Sequence, residues 1–160
     1  MRDLVFVCTG NICRSPMAEY LFRDLIRASH PDWRIFSAGV AASYGVPASR
    51  HAVQVVAEKG VDLSPHRSQP LIPVMASTAC LFVVMTTGHM AYLRDMYPAT
   101  ADKTHLLLSF KSRTQETDLL DPIGLSLDVY RYVRDEIADA LVGLAAFLAT
   151  VKNEEQSKSI

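Results

Sequence analysis

Leu4-Val5-Phe6-Val7-Cys8-Thr9-Gly10-Asn11-Ile12-Cys13-Arg14-Ser15-Pro16 joins three kinds of local signal within thirteen residues. Leu4 to Val7 form a short continuous apolar run, the pattern of a strand buried on both faces. Ser15 and Pro16 read as a helix start, with serine as N-cap and proline at the first helical position, where it loses no needed donor. Between them lies a tight loop in which an arginine follows a cysteine after five residues. Strand, loop and helix N-terminus in this order make a cradle of main-chain N–H groups, with the partial positive charge of a helix end behind it.

The residue types in the loop suit that reading. Gly10 allows a positive φ without Cβ strain, and Asn11 is among the residues that best tolerate one. Arg14 offers a planar fork for two oxygens of a phosphate. The same surroundings favour a thiolate at Cys8, which beneath a bound phosphate becomes a nucleophile aimed at phosphorus. The amides and Arg14 would hold the equatorial oxygens through the transition state. Ser15 is placed to donate a hydrogen bond to Cys8 and help the thiolate leave. Such chemistry also needs an acid for the leaving oxygen. Asp121-Pro122 supplies a carboxylate followed by a rigid residue, although Asp-Pro is also a common turn.

Working outward, Ala18, Leu21, Phe22, Leu25 and Ile26 give one helical face, which His30-Pro31-Asp32 ends. Trp33 to Phe36 read as a second strand, leading to Ser37-Ala38-Gly39. Residues 48–59 read as a helix closed by Gly60. Leu81 to Met85 form a second core strand, followed by a helix from Met90 to Tyr97. A short strand is expected over His105 to Leu108, and a polar functional loop over 109–125. A long helix then runs from Ser126 to Val151, with Tyr130, Val133, Ile137, Leu141, Leu144 and Leu148 on one face. Strand–helix alternation predicts an α/β fold with a parallel sheet covered on both sides. Ligands in such sheets bind beyond the carboxyl ends of the strands, where the Cys8 loop falls.

The 160 residues suit one domain over 1–151, with a frayed polar tail over 152–160. Sixteen basic against 17 acidic residues leave a net charge of −1, which gives no reason to expect nucleic acid or an anionic membrane as partner. No apolar run approaches the roughly 20 residues of a membrane span, and the first run is too short for a signal peptide. Three cysteines, an odd number, suit a reducing cytoplasm better than a disulfide framework. Cys8 and Cys13 lack a second pair at metal-ligand spacing, and no Gly-Lys-Ser/Thr supports a nucleotide loop.

Cys8 to Pro16 resembles the signature loop of the low molecular weight protein tyrosine phosphatases. Ser37-Ala38-Gly39, Ser64-Pro65-His66-Arg67 and Asp121-Pro122 extend the resemblance over about residues 3–150. It implies a doubly wound four-stranded parallel sheet of order 2-1-3-4, no cofactor or metal, and a phosphoprotein substrate. It also implies a monomer that holds phosphate or another oxyanion in the loop. Cys8 would form a phosphocysteine, Arg14 would bind phosphate, and Asp121 would act as acid and then base. Thr9, Gly10, Asn11, Ile12, Cys13, Ser15, Ser37 and His66 would bind phosphate or brace the loop. Cys13 is a possible redox partner of Cys8, which it would protect from further oxidation, or else a small buried side chain. Cys80 is expected to be inert packing.

Ile123-Gly124 stand where the mammalian type carries aromatic residues after the acid. Asp121-Pro122-Ile123-Gly124 with Ser126 and Tyr130 is closer to a bacterial branch that includes protein-arginine phosphatases. In that branch the position of Ile12 is typically threonine, and an apolar Ile12 favours an aryl ring. Phosphotyrosine is therefore the expected substrate and phosphoarginine the alternative, with Ile12 and Tyr44 as expected pocket walls. Arsenate reduction would need two further cysteines after the third strand, where Thr86-Thr87-Gly88-His89 stand. A non-catalytic phosphate-binding module would need neither the thiol of Cys8 nor the carboxyl of Asp121.

Overall fold

The structure, a computed structural model, describes residues 1–157, with side chains as far as Val151. Four strands form one parallel sheet: β1 (Arg2–Cys8), β2 (Trp33–Gly39), β3 (Leu81–Val84) and β4 (Thr104–Leu106). Their order is β2-β1-β3-β4, as the resemblance implies. The helices are α1 (Arg14–Ile26), α2 (Arg50–Ala57), α3 (Pro73–Thr78), α4 (Thr87–Met96) and α5 (Leu127–Ser157).

The apolar run of β1 is continuous because both faces of this central strand are covered. Leu4 and Phe6 meet Met17 and Phe22 of α1 and Ile137 and Leu141 of α5. Val5 and Val7 point the other way, into a smaller cluster with Leu71 and with Leu93 of α4. Six of the seven β1 residues are buried, and Cys8 ends the strand opposite Gly39 of β2.

Several boundaries differ from expectation. Ser15 is not the N-cap of α1, nor Pro16 its first residue: that helix starts at Arg14 with Cys13 as N-cap, Pro16 is its third residue, and no side chain caps it. The hydroxyl of Ser15 turns to Cys8 instead. The core face of α1 is Met17, Ala18, Phe22 and Ile26. Leu21 is half-buried and Leu25 is 49% exposed, because they lie off the narrow stripe that meets the sheet. Helix α2 is shorter than 48–59 and is capped by Ser49, which accepts from Ala52 N. Helix α4 starts three residues before Met90, capped by Thr86. Leu107–Phe110 form a 3-10 turn, so β4 ends before Leu108. Neither α3 nor the 3-10 helix at Pro98–Lys103 was expected. Cys80 is exposed just ahead of β3, which corrects its expected packing role. Helix α5 continues past Val151 to Ser157, and of the expected tail, 158–160 lie outside the described residues.

Candidate active site

The loop between β1 and α1 closes on Cys8. The Sγ of Cys8 lies 2.9 Å from Ser15 Oγ and accepts from the main-chain N–H of Asn11 at 3.3 Å. Uncapped and without an acidic side chain in its first turn, α1 keeps its first N–H groups free for an anion. The thiol forms part of the lining of a small cavity of about 190 Å³, with Thr9, Gly10, Asn11, Ile12, Cys13, Arg14, Asp121 and Ile123. Ile12 is thus a wall, as expected. Tyr44 is not among the lining residues and is 69% exposed. Ile123, seen in the sequence only as a departure from an aromatic pattern, is a wall.

Asn11 holds the loop. Its φ of 56° is the left-handed conformation expected of it, and its buried side chain pays for that strain with bonds to three partners. Nδ2 donates to Ser15 Oγ at 2.9 Å and to Ser37 Oγ at 2.8 Å, while Oδ1 accepts from Gln69 N at 2.9 Å. His66 Nε2 lies 2.8 Å from the Asn11 carbonyl. Ser37 and His66 thus both bond to Asn11. Of the two loop residues that allow a positive φ, Asn11 takes it and Gly10 does not; a Cβ at Gly10 would meet nothing nearer than Ile12 at 3.7 Å. The tight position is Gly39, where a Cβ would stand 2.4 Å from the Thr9 carbonyl oxygen and 3.1 Å from Asn11 N.

Behind this network sits a carboxylate that carried no motif. Glu19, buried on α1, accepts from Ser37 Oγ and pairs with Arg23, and His66 Nδ1 lies 3.9 Å away. Burial raises the Glu19 carboxyl above its ordinary range, against the lowering effect of Ser37 and Arg23. Burial likewise lowers His66, so a neutral ring bonds to Asn11.

Arg14 is buried and fixed at both ends of its fork. Nη1 donates to the Leu119 carbonyl at 3.0 Å and Nη2 to Asp121 Oδ2 at 3.3 Å. Three of its five N–H donors are still free for an oxyanion. The segment carrying Asp121 is anchored at two points before the carboxylate. Leu119 N donates to Met85 O at 2.9 Å, and Asp118 accepts from Thr87 N at 2.7 Å at the start of α4. Asp121 itself turns back to accept from Ile123 N at 3.2 Å.

Two further groups approach the loop from distant elements. Cys13 Sγ lies 3.3 Å from Ser49 Oγ and 3.2 Å from Tyr130 OH. Burial is the main cause that raises the Cys13 thiol, and burial pushes Tyr130 up to about 12. His89, unassigned in the sequence, lies 2.8 Å from Thr9 Oγ1 through its Nε2. Burial first, and the Arg14 charge second, lower it to about 4. Glu19, Gln69 and His89 had no signal in the sequence: each reaches the loop through the tertiary fold, not through a spacing. Among the described residues, no group of three or more His, Cys, Asp or Glu could hold a metal ion.

The model of the low molecular weight phosphotyrosine protein phosphatase family matches residues 3–157. The chain belongs to this family. Among phosphatases like it, a protein-arginine-phosphatase of Bacillus subtilis is 38% identical over 143 residues, 89% of this chain and 94% of the relative. A solved low molecular weight protein tyrosine phosphatase from T. tengcongensis is 39% identical, with a TM-score of 0.83 over 90% of this chain and 97% of that one. Wzb from Vibrio vulnificus, solved in complex with benzylphosphonate, is 32% identical, with a TM-score of 0.81 over 91% of this chain and 97% of that one. This phosphatase carries a four-stranded sheet with the loop at its carboxyl edge. Among its described residues, no helix is long and apolar enough to cross a membrane.

Proposed function

We propose that this phosphatase hydrolyses phosphotyrosine and other aryl phosphates through a phosphocysteine. The observation that carries the reading is the pairing of Cys8 Sγ with two hydrogen-bond partners at the base of a cavity that Arg14 and Asp121 also line. A phosphate bound there accepts from the loop N–H groups and from Arg14. Cys8 attacks phosphorus in line with the ester oxygen, and Asp121 protonates that oxygen as it leaves. Asp121 then takes a proton from water, which attacks the phosphocysteine and releases phosphate. The Ser15 hydroxyl stabilises the departing thiolate, and Asn11, Ser37 and His66 brace the loop. Thr9, Gly10, Ile12 and Cys13 complete the cradle, with Cys13 a possible disulfide partner of Cys8.

The substrate preference follows from the walls. Ile12 and Ile123 offer apolar surface that suits an aromatic ring and gives a guanidinium no hydrogen-bond partner. The similarity to a protein-arginine-phosphatase favours phosphoarginine as a second reading. The nucleophile works as a free thiol, which suits a reducing cytoplasm. The reading includes action as a monomer on phosphoproteins.

The experiment is side-by-side hydrolysis of phosphotyrosine and phosphoarginine peptides, with vanadate as inhibitor. A kcat/KM at least about tenfold higher for phosphotyrosine is expected, a difference of about 1.4 kcal/mol in transition-state binding. The Ile12→Thr variant is expected to narrow that ratio. Faster hydrolysis of phosphoarginine by the unaltered protein overturns the preference. Cys8→Ser is expected to keep phosphate binding and lose turnover; turnover that survives overturns the phosphocysteine.

A further inference from the structure

The first turn of α4 stands between the loop that holds Cys8 and the segment that holds Asp121. Its buried His89 reaches the Cys8 loop on one side and the cap of its own helix on the other. Nε2 lies 2.8 Å from Thr9 Oγ1, and Nδ1 lies 3.0 Å from Thr86 Oγ1. Thr86 in turn caps α4 by accepting from His89 N at 3.2 Å. The next residue, Thr87, gives its N–H to Asp118 Oδ1 at 2.7 Å and its hydroxyl to Asp118 Oδ2 at 3.2 Å. Thr9 directly follows the nucleophile, and Asp118 stands three residues before the acid.

A neutral imidazole donates through one nitrogen and accepts through the other. Thr86 Oγ1 already accepts from His89 N, so its hydroxyl hydrogen is free to donate to Nδ1. Nε2–H then donates to Thr9 Oγ1. Thr9 is exposed at the cavity mouth, so this bond ties an otherwise solvent-facing side chain to a buried anchor.

We propose that His89 is a positioning residue, which fixes Thr9 and so sets the phosphate loop in register with the acid-bearing segment across the first turn of α4. This rests on the phosphatase reading above, and it goes beyond the motif residues, none of which lies on α4. His89 touches no substrate. Its effect is on the placement of the Thr9 main-chain N–H, the first donor after the nucleophile, and misplacement of about 1 Å in such a group can cost up to about 100-fold in rate.

Three substitutions at one position separate the bond from mere packing. Glutamine places an N–H near the position of Nε2 and can reach Thr9. Asparagine places its amide near Nδ1 and reaches only Thr86. Phenylalanine fills the space and makes neither bond. With p-nitrophenyl phosphate, His89→Phe and His89→Asn are expected to lower kcat about tenfold with a smaller change in KM, and His89→Gln to recover most of that loss. Thr9→Val, which removes the other end of the bond, is expected to lower kcat as His89→Phe does, and the two together to cost no more than either alone.

Equal kcat in the Gln and Asn variants overturns the proposal. So does a double variant in which the two losses multiply, or a set in which melting temperature falls while kcat of the folded protein stays unchanged. Calorimetric binding of vanadate to the same variants reads the loop directly, with weaker binding expected in the Asn and Phe variants than in the Gln variant. An unaltered protein that binds vanadate but leaves p-nitrophenyl phosphate intact counts against the phosphatase reading alone, and the vanadate series then still decides the role of His89.

Discussion

Asp121 Oδ2 lies 3.3 Å from Arg14 Nη2, so the proposed acid and the proposed phosphate clamp are paired across 107 positions of chain. The Arg14 side chain is buried and that of Asp121 is 44% exposed. The carboxylate is thus held at the rim with its partner beneath it. Asp121→Asn keeps this shape but has no proton to give. Turnover of phenyl phosphates with poor leaving groups is expected to fall about 100-fold or more, and that of p-nitrophenyl phosphate much less. A series of substituted phenyl phosphates checks this, and equal slowing across the series counts against the acid.

Gly39 and Gly10 make a contrasting pair. A Cβ at Gly39 would stand 2.4 Å from Thr9 O and 2.7 Å from Ala42 Cβ, so the backbone of the loop must move. Gly39→Ala is expected to cost about 1–3 kcal/mol of stability and to lower kcat/KM as well. Gly10→Ala meets nothing closer than 3.7 Å and should change stability by less than about 1 kcal/mol. Urea midpoints of the two variants test the difference.

Asn11 holds a strained backbone and bonds two hydroxyls and one main-chain N–H through its side chain. Asn11→Ala removes all three bonds at once: Ser15 and Ser37 keep Cys8 and Glu19 as partners, but the Gln69 N–H loses its acceptor, at about 1–3 kcal/mol, and alanine tolerates the positive φ less well. The expected outcome is a loss of stability larger than that of Ser37→Ala, together with slower alkylation of Cys8 by iodoacetate. Alkylation at the rate of the unaltered protein would show that the loop keeps its shape without this side chain.

His89 predicts a pH dependence. The folded protein holds it at about 4, against 6.5 for the ordinary group, so the unfolded chain takes up its proton first as pH falls. The neutral histidine is fully accommodated above about pH 6.5, and stability drops between there and about pH 4, by at most about 3 kcal/mol. His66 and His105 shift in the same direction. Glu19 is raised by burial and works in the opposite sense, its cost growing as pH rises above the ordinary carboxylate value of 4.5. Unfolding midpoints at pH 7 and pH 4.5 should fall less in His89→Gln than in the unaltered protein.

Much of this architecture was legible in the sequence because its signals are local. The apolar run of β1, the proline in the first turn of α1 and the Cys8–Arg14 spacing each sit within one short window. Asn11 announced its own backbone conformation. Ser15 was misread as a cap because a hydroxyl before a proline has the same local signature whether it bonds to an amide or to a thiol seven residues back. Glu19, Gln69 and His89 were invisible for another reason: the partners lie 18, 58 and 80 positions away, and only the packed sheet brings them together. Short elements such as α3 and the 3-10 turns are too brief to show a period.

The anchoring of the segment before Asp121 has a dynamic consequence. With Asp118 bound to Thr87 and Leu119 bound on both its N–H and its carbonyl side, the carboxylate travels on an arm of two residues. Two links reach about 7 Å at full stretch. Freezing them over a substrate forfeits about 2–4 kcal/mol of chain entropy, where freezing a free loop of the whole polar stretch would forfeit several times more. Closure can therefore be quick and shallow, and a bulky phosphoprotein can approach without a large flap having to swing clear.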